Sequence, residues 1–234
     1  MKLDHVVPWG RTLAEYQLMF DLTNVDLETQ ILGCGDGPAS FNAEMKALGH
    51  TVVSVDPIYQ FSADQIRQRV QATYDPIISQ VRQNSHRYRW HTFHDADQLG
   101  QARLAAMERF LLDYEAGLSE ERYRCQALPN LDLADHQFEL CLCSHLLFLY
   151  AEQLSLEFHL AAIAELLRVA AEVRIFPLLT LGGEPCPYLE IILKALHRDG
   201  FEARVQSVAY EFQRGGHQML KVNRGEPVGS QWPS

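Results

Sequence analysis

Ile31-Leu32-Gly33-Cys34-Gly35-Asp36-Gly37-Pro38 is the stretch that decides how this chain folds. Aliphatic residues run into glycines at three alternate positions. A proline follows, at the first turn of a helix, where its missing N–H costs nothing. Glycine at 33, 35 and 37 opens backbone conformations closed to other residues and lets the chain pass close to a ligand. The free N–H groups at the helix start favour polar or anionic groups. Residues 39–48 continue as that helix, and Gly49 is a stop signal. Thr51-Val52-Val53-Ser54-Val55 is then a β-branched run ending on Asp56-Pro57. Strand, glycine turn, helix and strand make a βαβ unit of about 30 residues.

Upstream, residues 13–22 carry Leu13, Tyr16, Met19 and Phe20 at helical spacing. Downstream, the alternation stops. Residues 62–81 and 97–115 read as helices, polar on one face, around the patch His86-Arg87-Tyr88-Arg89-Trp90-His91-Thr92-Phe93-His94. Residues 58–122 are therefore expected to form a mostly helical insertion, too short of aliphatic side chains for a core of its own. The α/β rhythm resumes with strands at 122–125 and 138–143, the latter a continuous apolar run of the kind buried on both faces. A helix at 156–169, a strand at 172–179 and a helix at 188–197 follow. Extended segments at 203–212 and 217–222 are joined by Gln213-Arg214-Gly215-Gly216, which predicts a tight antiparallel hairpin. The expected fold is one α/β domain over residues 1–223, with residues 224–234 a loose tail.

Composition narrows the function. The 234 residues are 47% hydrophobic and 21% charged with a net charge of -10, which supports a sizeable core and argues against an extended nucleic-acid surface. No apolar run reaches the ~20 residues of a membrane span, and residues 1–12 do not resemble a signal peptide. Five cysteines without framework spacing fit a reducing compartment, so a cytoplasmic protein is expected. Cys141 and Cys143 share one face of a strand, where free cysteine packs as a small hydrophobe. His86, His91 and His94 follow neither helical nor strand periodicity and read as a loop or lid; no metal site is expected.

Asp56 stands 19 residues after Gly37, at the end of the second strand. A carboxylate there can accept both hydroxyls of a ribose whose tail lies over the glycines. A dinucleotide fingerprint would place its third glycine at position 38, which is Pro38 here.

These residues resemble the class I S-adenosylmethionine (SAM)-dependent methyltransferases. Residues 31–37 look like their first motif, Asp56 like their ribose-binding acid, and Cys125-Gln126-Ala127-Leu128-Pro129 with residues 135–145 like their adenine-side loop and fourth strand. The resemblance spans residues 27–222 apart from the insertion. It implies a Rossmann-like seven-stranded, mostly parallel sheet with an antiparallel C-terminal hairpin, SAM as cofactor and a small-molecule acceptor. Gly33, Cys34, Gly35 and Gly37 would hold the cofactor with Asp56, the adenine would lie near Pro57, Ile58, Gln126 and Ala127, and Ser144 and His145 would face the methyl group. Two departures stand out: Ile31 replaces the family's usual acid two positions before the first glycine, and Gln126 replaces its usual aspartate.

Several assignments stay open at this level. Trp9, Arg11 and Tyr16 either fold over the methionine end, Arg11 pairing with its carboxylate, or simply cover the sheet edge. His145 is either a general base or a histidine hydrogen-bonded at a strand end. The chain is either an active methyltransferase or a non-catalytic binder of SAM or S-adenosylhomocysteine; a nucleotide-dependent oxidoreductase is the third reading.

Overall fold

A parallel sheet grows outward from the glycine stretch in the computed structural model, which describes residues 8–224. Strand β1 (Ile31–Cys34) lies near its middle and pairs with β2 (Val52–Val55), Ile31 opposite Val52 and Cys34 opposite Val55. Strand β3 (Tyr123–Arg124) extends that side. The chain then crosses to the other side of β1 with β4 (Phe138–Ser144) and β5 (Ala170–Phe176), both parallel. Strands β6 (Phe201–Ser207) and β7 (Gln218–Arg224) finish the sheet, β7 running antiparallel between β5 and β6. The order β3-β2-β1-β4-β5-β7-β6 is the seven-stranded, mostly parallel arrangement expected from the sequence.

The apolar run of β4 explains why it sits inside. Alternate side chains of a strand point to opposite faces. Cys141 and Cys143 enter a core under helix α6 (Leu156–Val169) and helix α7 (Leu189–Arg198), while Leu140 and Leu142 enter a second core on the opposite face. That second core lies under α1 (Leu13–Phe20), α2 (Asn24–Leu27) and α3 (Phe41–Ala47). Helix α1 starts cleanly because the Thr12 hydroxyl accepts from the Glu15 N–H while the Glu15 carboxylate accepts from the Thr12 N–H.

Helices α4 (Ala63–Gln83) and α5 (Ala96–Ser119) stand between β2 and β3. They bury more apolar surface than the sequence suggested, because aromatic side chains replace the missing aliphatic ones. Tyr59, Phe110, Tyr114 and Tyr123 pack together at ring-centroid separations of 5.0–6.0 Å. Tyr88 and Phe93 form a further cluster with Ile77, Ile78 and Leu99.

Two local readings need correction. The connection between β6 and β7 is not tight: β6 ends at Ser207, and residues 208–217 loop out before β7 begins. Gly215 does take a left-handed φ of 82°, but it serves a turn inside that loop, where the Gly216 N–H donates to the Gln213 carbonyl at 2.8 Å. The loop is held by the segment between α4 and α5. The Arg89 N–H donates to the Phe212 carbonyl at 2.7 Å, and Tyr88 stacks on Phe212 at 4.7 Å. The expected tail falls outside the described residues except for Arg224, which is the last residue of β7.

Candidate active site

Between β1 and β4 the chain reverses its direction of travel across the sheet, and in open α/β sheets the strand ends beside such a switch line the ligand crevice. A cavity of about 700 Å³ opens there. The glycine turn forms its floor. Gly35 and Gly37 have φ of 69° and 54°, and a Cβ on Gly35 would approach Leu146 within 2.9 Å.

Asp56 ties this turn to the end of β2. Its Oδ2 accepts from the Gly37 N–H at 2.9 Å and its Oδ1 from the Ile58 N–H at 2.8 Å. Tyr59 holds the same turn from the other side, its hydroxyl donating to the Gly37 carbonyl at 2.8 Å. Burial raises the Asp56 pKa. Each carboxylate oxygen can accept about two hydrogen bonds, so both retain capacity for a ligand.

Ten of the expected cofactor residues line this cavity: Arg11, Cys34, Gly35 and Gly37 on one side, Asp56, Pro57 and Ile58 at the end of β2, and Gln126, Ala127 and Ser144 beyond. Gln126 already spends its side-chain carbonyl on the Asp132 N–H at 3.0 Å. Gly33 is the exception. It lies behind the cavity, and a Cβ there would run into the Asp36 carboxylate. Its glycine makes room for an acid, not for a ligand.

Sequence reading assigned that acid no role, because it does not stand at the family's usual acidic position. Asp36 is buried, accepting from the Tyr16 hydroxyl at 2.7 Å and the Ser54 hydroxyl at 2.7 Å. Burial raises its pKa to about 6, against the pull of those two hydrogen bonds. The usable signal was its place within the glycine stretch, directly beyond a glycine too crowded for a side chain.

Two arginines form the far wall. Arg103, on α5, is 1% exposed and grips Glu15 at 2.5 and 2.6 Å, with Tyr210 donating to Glu15 at 3.0 Å. Burial opposes the charge on both partners. Their mutual attraction prevails, holding the Arg103 pKa up and the Glu15 pKa down. Sequence reasoning missed the pair, although Arg103 interrupts a stripe of Leu99, Ala106 and Phe110 on one helical face. Arg11 differs. It donates to the Trp9 carbonyl at 3.1 Å, but no carboxylate among the described residues lies within ion-pair distance, and its buried Nε has no partner. Burial and then Arg103 lower its pKa.

His145 follows β4 directly. Its φ of 50° turns the chain so that the half-buried ring lines the cavity, 5.4 Å from Phe176. Nδ1 lies 3.0 Å from the Ser144 Oγ. Burial, then the charges of Arg11 and Arg103, push its pKa well below the ordinary histidine value, so the ring is neutral at pH 7. Among the described residues no His, Cys, Asp and Glu side chains gather into a metal-binding group, and no helix is long and apolar enough to cross a membrane.

No family model matches the chain. An alignment of 225 residues at 32% identity covers 96% of it and 99% of the uncharacterized protein MJ0045 of Methanocaldococcus jannaschii. The chain belongs to that protein's family. Solved structures to which it is similar include magnesium protoporphyrin IX methyltransferase of Synechocystis PCC 6803 with bound SAM, at 15% identity over 86% of this chain and 73% of that one, TM-score 0.45. Others are a TehB-like SAM-dependent methyltransferase of Corynebacterium glutamicum, at 16% identity over 85% and 81%, TM-score 0.43, and a SAM-dependent methyltransferase of Methanosarcina mazei, at 12% identity over 87% and 98%, TM-score 0.45.

Proposed function

We propose that this protein is a SAM-dependent methyltransferase acting on a small-molecule acceptor. One observation carries the reading: the positive-φ glycine turn and the Asp56 carboxylate meet, through the Gly37 N–H, in the lining of one cavity at the switch point of the sheet. Asp56 would accept the ribose hydroxyls and the glycine turn would underlie the adenosyl chain. Gln126 and Ala127 would flank the adenine. Arg11, whose buried Nε lacks a partner, would pair with the amino-acid carboxylate. The acid absent at Ile31 has a substitute in Asp36, whose carboxylate reaches the same turn from five residues later and would receive the amino group.

Bound SAM would supply a methyl group on a positively charged sulfur. The protein's task is then alignment more than acid–base machinery. The insertion residues Ile66, Ile77, Val81 and Tyr88 line the same cavity, and with Phe212 they would roof the acceptor side and select the acceptor. The nearness of neutral His145 favours catalysis over mere binding.

Calorimetry with S-adenosylhomocysteine and NAD tests the binding class: the adenosyl thioether is expected to bind and NAD is not. Release of label from methyl-labelled SAM over a panel of acceptors then tests catalysis. Binding of NAD alone would overturn the reading.

A further inference from the structure

We propose that the methyl acceptor is a flat aromatic molecule carrying an anionic oxygen group, and that Arg69 receives that group. The inference deepens the methyltransferase reading and rests on it.

Arg69 lies on α4 between Ile66 and Ile77, two of the residues that roof the acceptor side, and like them it lines the cavity. It is exposed, and its guanidinium has no hydrogen-bond or ion-pair partner among the described residues. Its neighbour Arg67 shows the usual fate of an arginine in a chain of net charge -10: it pairs with Asp64 at 3.0 Å and with Glu108 at 3.5 Å. Arg82, farther along the same helix, pairs with Asp97. Arg69 is thus an unspent cation on a cavity wall.

The signs of the other charges agree. The acids that line the cavity are Asp36 and Asp56, and in the reading above both belong to the cofactor, one to its amino group and one to its ribose. Arg103 is neutralised by Glu15, and Arg11 would be neutralised by the cofactor's carboxylate. What remains for the acceptor is positive: Arg69 and the sulfonium of the bound cofactor. A cationic acceptor would find no free carboxylate there and would be desolvated unpaired. A carboxylate would find a guanidinium, which can grip it through two parallel N–H bonds.

The walls specify the rest of the molecule. Tyr88 and Phe212 stack at 4.7 Å with 13° between their planes, and Phe176 meets Tyr210 edge-on at 5.9 Å. All four rings line the cavity. Such walls can meet a flat ring by stacking and edge contacts that a saturated ring does not offer. Tyr88 clusters with Ile77, and Ile77 stands about 12 Å beyond Arg69 along the axis of α4. The charge and the ring therefore have separate places along one helix, so the acceptor carries its anion at one end.

The test is calorimetry with 2-naphthoate as the probe, with and without S-adenosylhomocysteine. Two companions isolate the features: 2-naphthylmethylammonium reverses the charge, and the decahydro analogue of the carboxylate removes the flat ring. In the parent, naphthoate is expected to bind at least tenfold more tightly than either. Arg69→Gln is expected to lose at least tenfold in naphthoate affinity and Arg69→Lys to lose less. Both variants alter an exposed, unpaired side chain, so they should fold and bind S-adenosylhomocysteine as the parent does. Naphthoate that fails to bind, binds no better than a companion, or binds Arg69→Gln undiminished overturns the proposal. Failure of S-adenosylhomocysteine to bind counts instead against the methyltransferase reading, and the naphthoate comparison is then read without it.

Discussion

The two walls of the cavity are built on different physics. On the sheet side, the glycine turn and Asp56 are held by backbone N–H groups donating to the Asp56 carboxylate within the βαβ unit, above the two cores that flank the sheet. On the insertion side, the wall depends on partners far apart in the chain: Arg103 on Glu15, 88 residues away, and Tyr88 on Phe212. The first wall is built from regular elements, the second from side-chain pairs. A single substitution should therefore damage the second wall more in stability and the first more in affinity.

The largest expected effect is at Arg103. Arg103→Ala strands the Glu15 carboxylate in a buried site, at a cost of about 3–5 kcal/mol in denaturant unfolding. A double replacement of both residues by apolar side chains of similar volume should recover most of it. If Arg103→Ala costs less than about 1 kcal/mol, the insertion wall does not lean on this pair and the contrast fails.

Asp36, on the sheet side, comes next. Its pKa rises on folding from 3.8 to about 6, so its carboxyl favours the folded state when protonated. That contribution is complete below pH 3.8 and is lost as pH rises through about 6, a change of about 3 kcal/mol. Unfolding of Asp36→Asn compared with the parent from pH 4 to 7 should show the parent losing that advantage. A pH-independent difference would remove Asp36 from the buried network.

A smaller loss is expected at the strap between insertion and hairpin loop. Phe212 is half-buried and contacts Tyr88, Trp90 and Phe93. Phe212→Ala should cost about 2 kcal/mol, less than a fully buried phenylalanine. Hydrogen exchange should quicken at the Arg89 and Arg214 amides, which donate across the strap, and not in β1 or β4.

The same contrast explains what the sequence reveals. The order of the elements was legible because β-branched runs, glycine stops and helical stripes are local signals, and one βαβ unit constrains the sheet around it. The place of Asp56 beside the cavity was legible for the same reason, since it follows from where one strand ends. Asp36 was obscured because its partners, Tyr16 and Ser54, lie 20 and 18 residues away on separate elements. The insertion's core was underestimated because tyrosines and tryptophans read as polar-tipped while their rings pack like hydrophobes. The hairpin loop was misread because Gly215 and Gly216 signal a turn without saying whether strands begin beside it. Nothing local to residue 212 announces its stacking on Tyr88.

Asp56→Ala tests the whole account most directly, read by calorimetry with S-adenosylhomocysteine on a variant whose circular dichroism matches the parent. At least a tenfold loss of affinity is expected, about 1.4 kcal/mol or more. Undiminished affinity in the folded variant would contradict the assignment of this crevice to an adenosyl ligand.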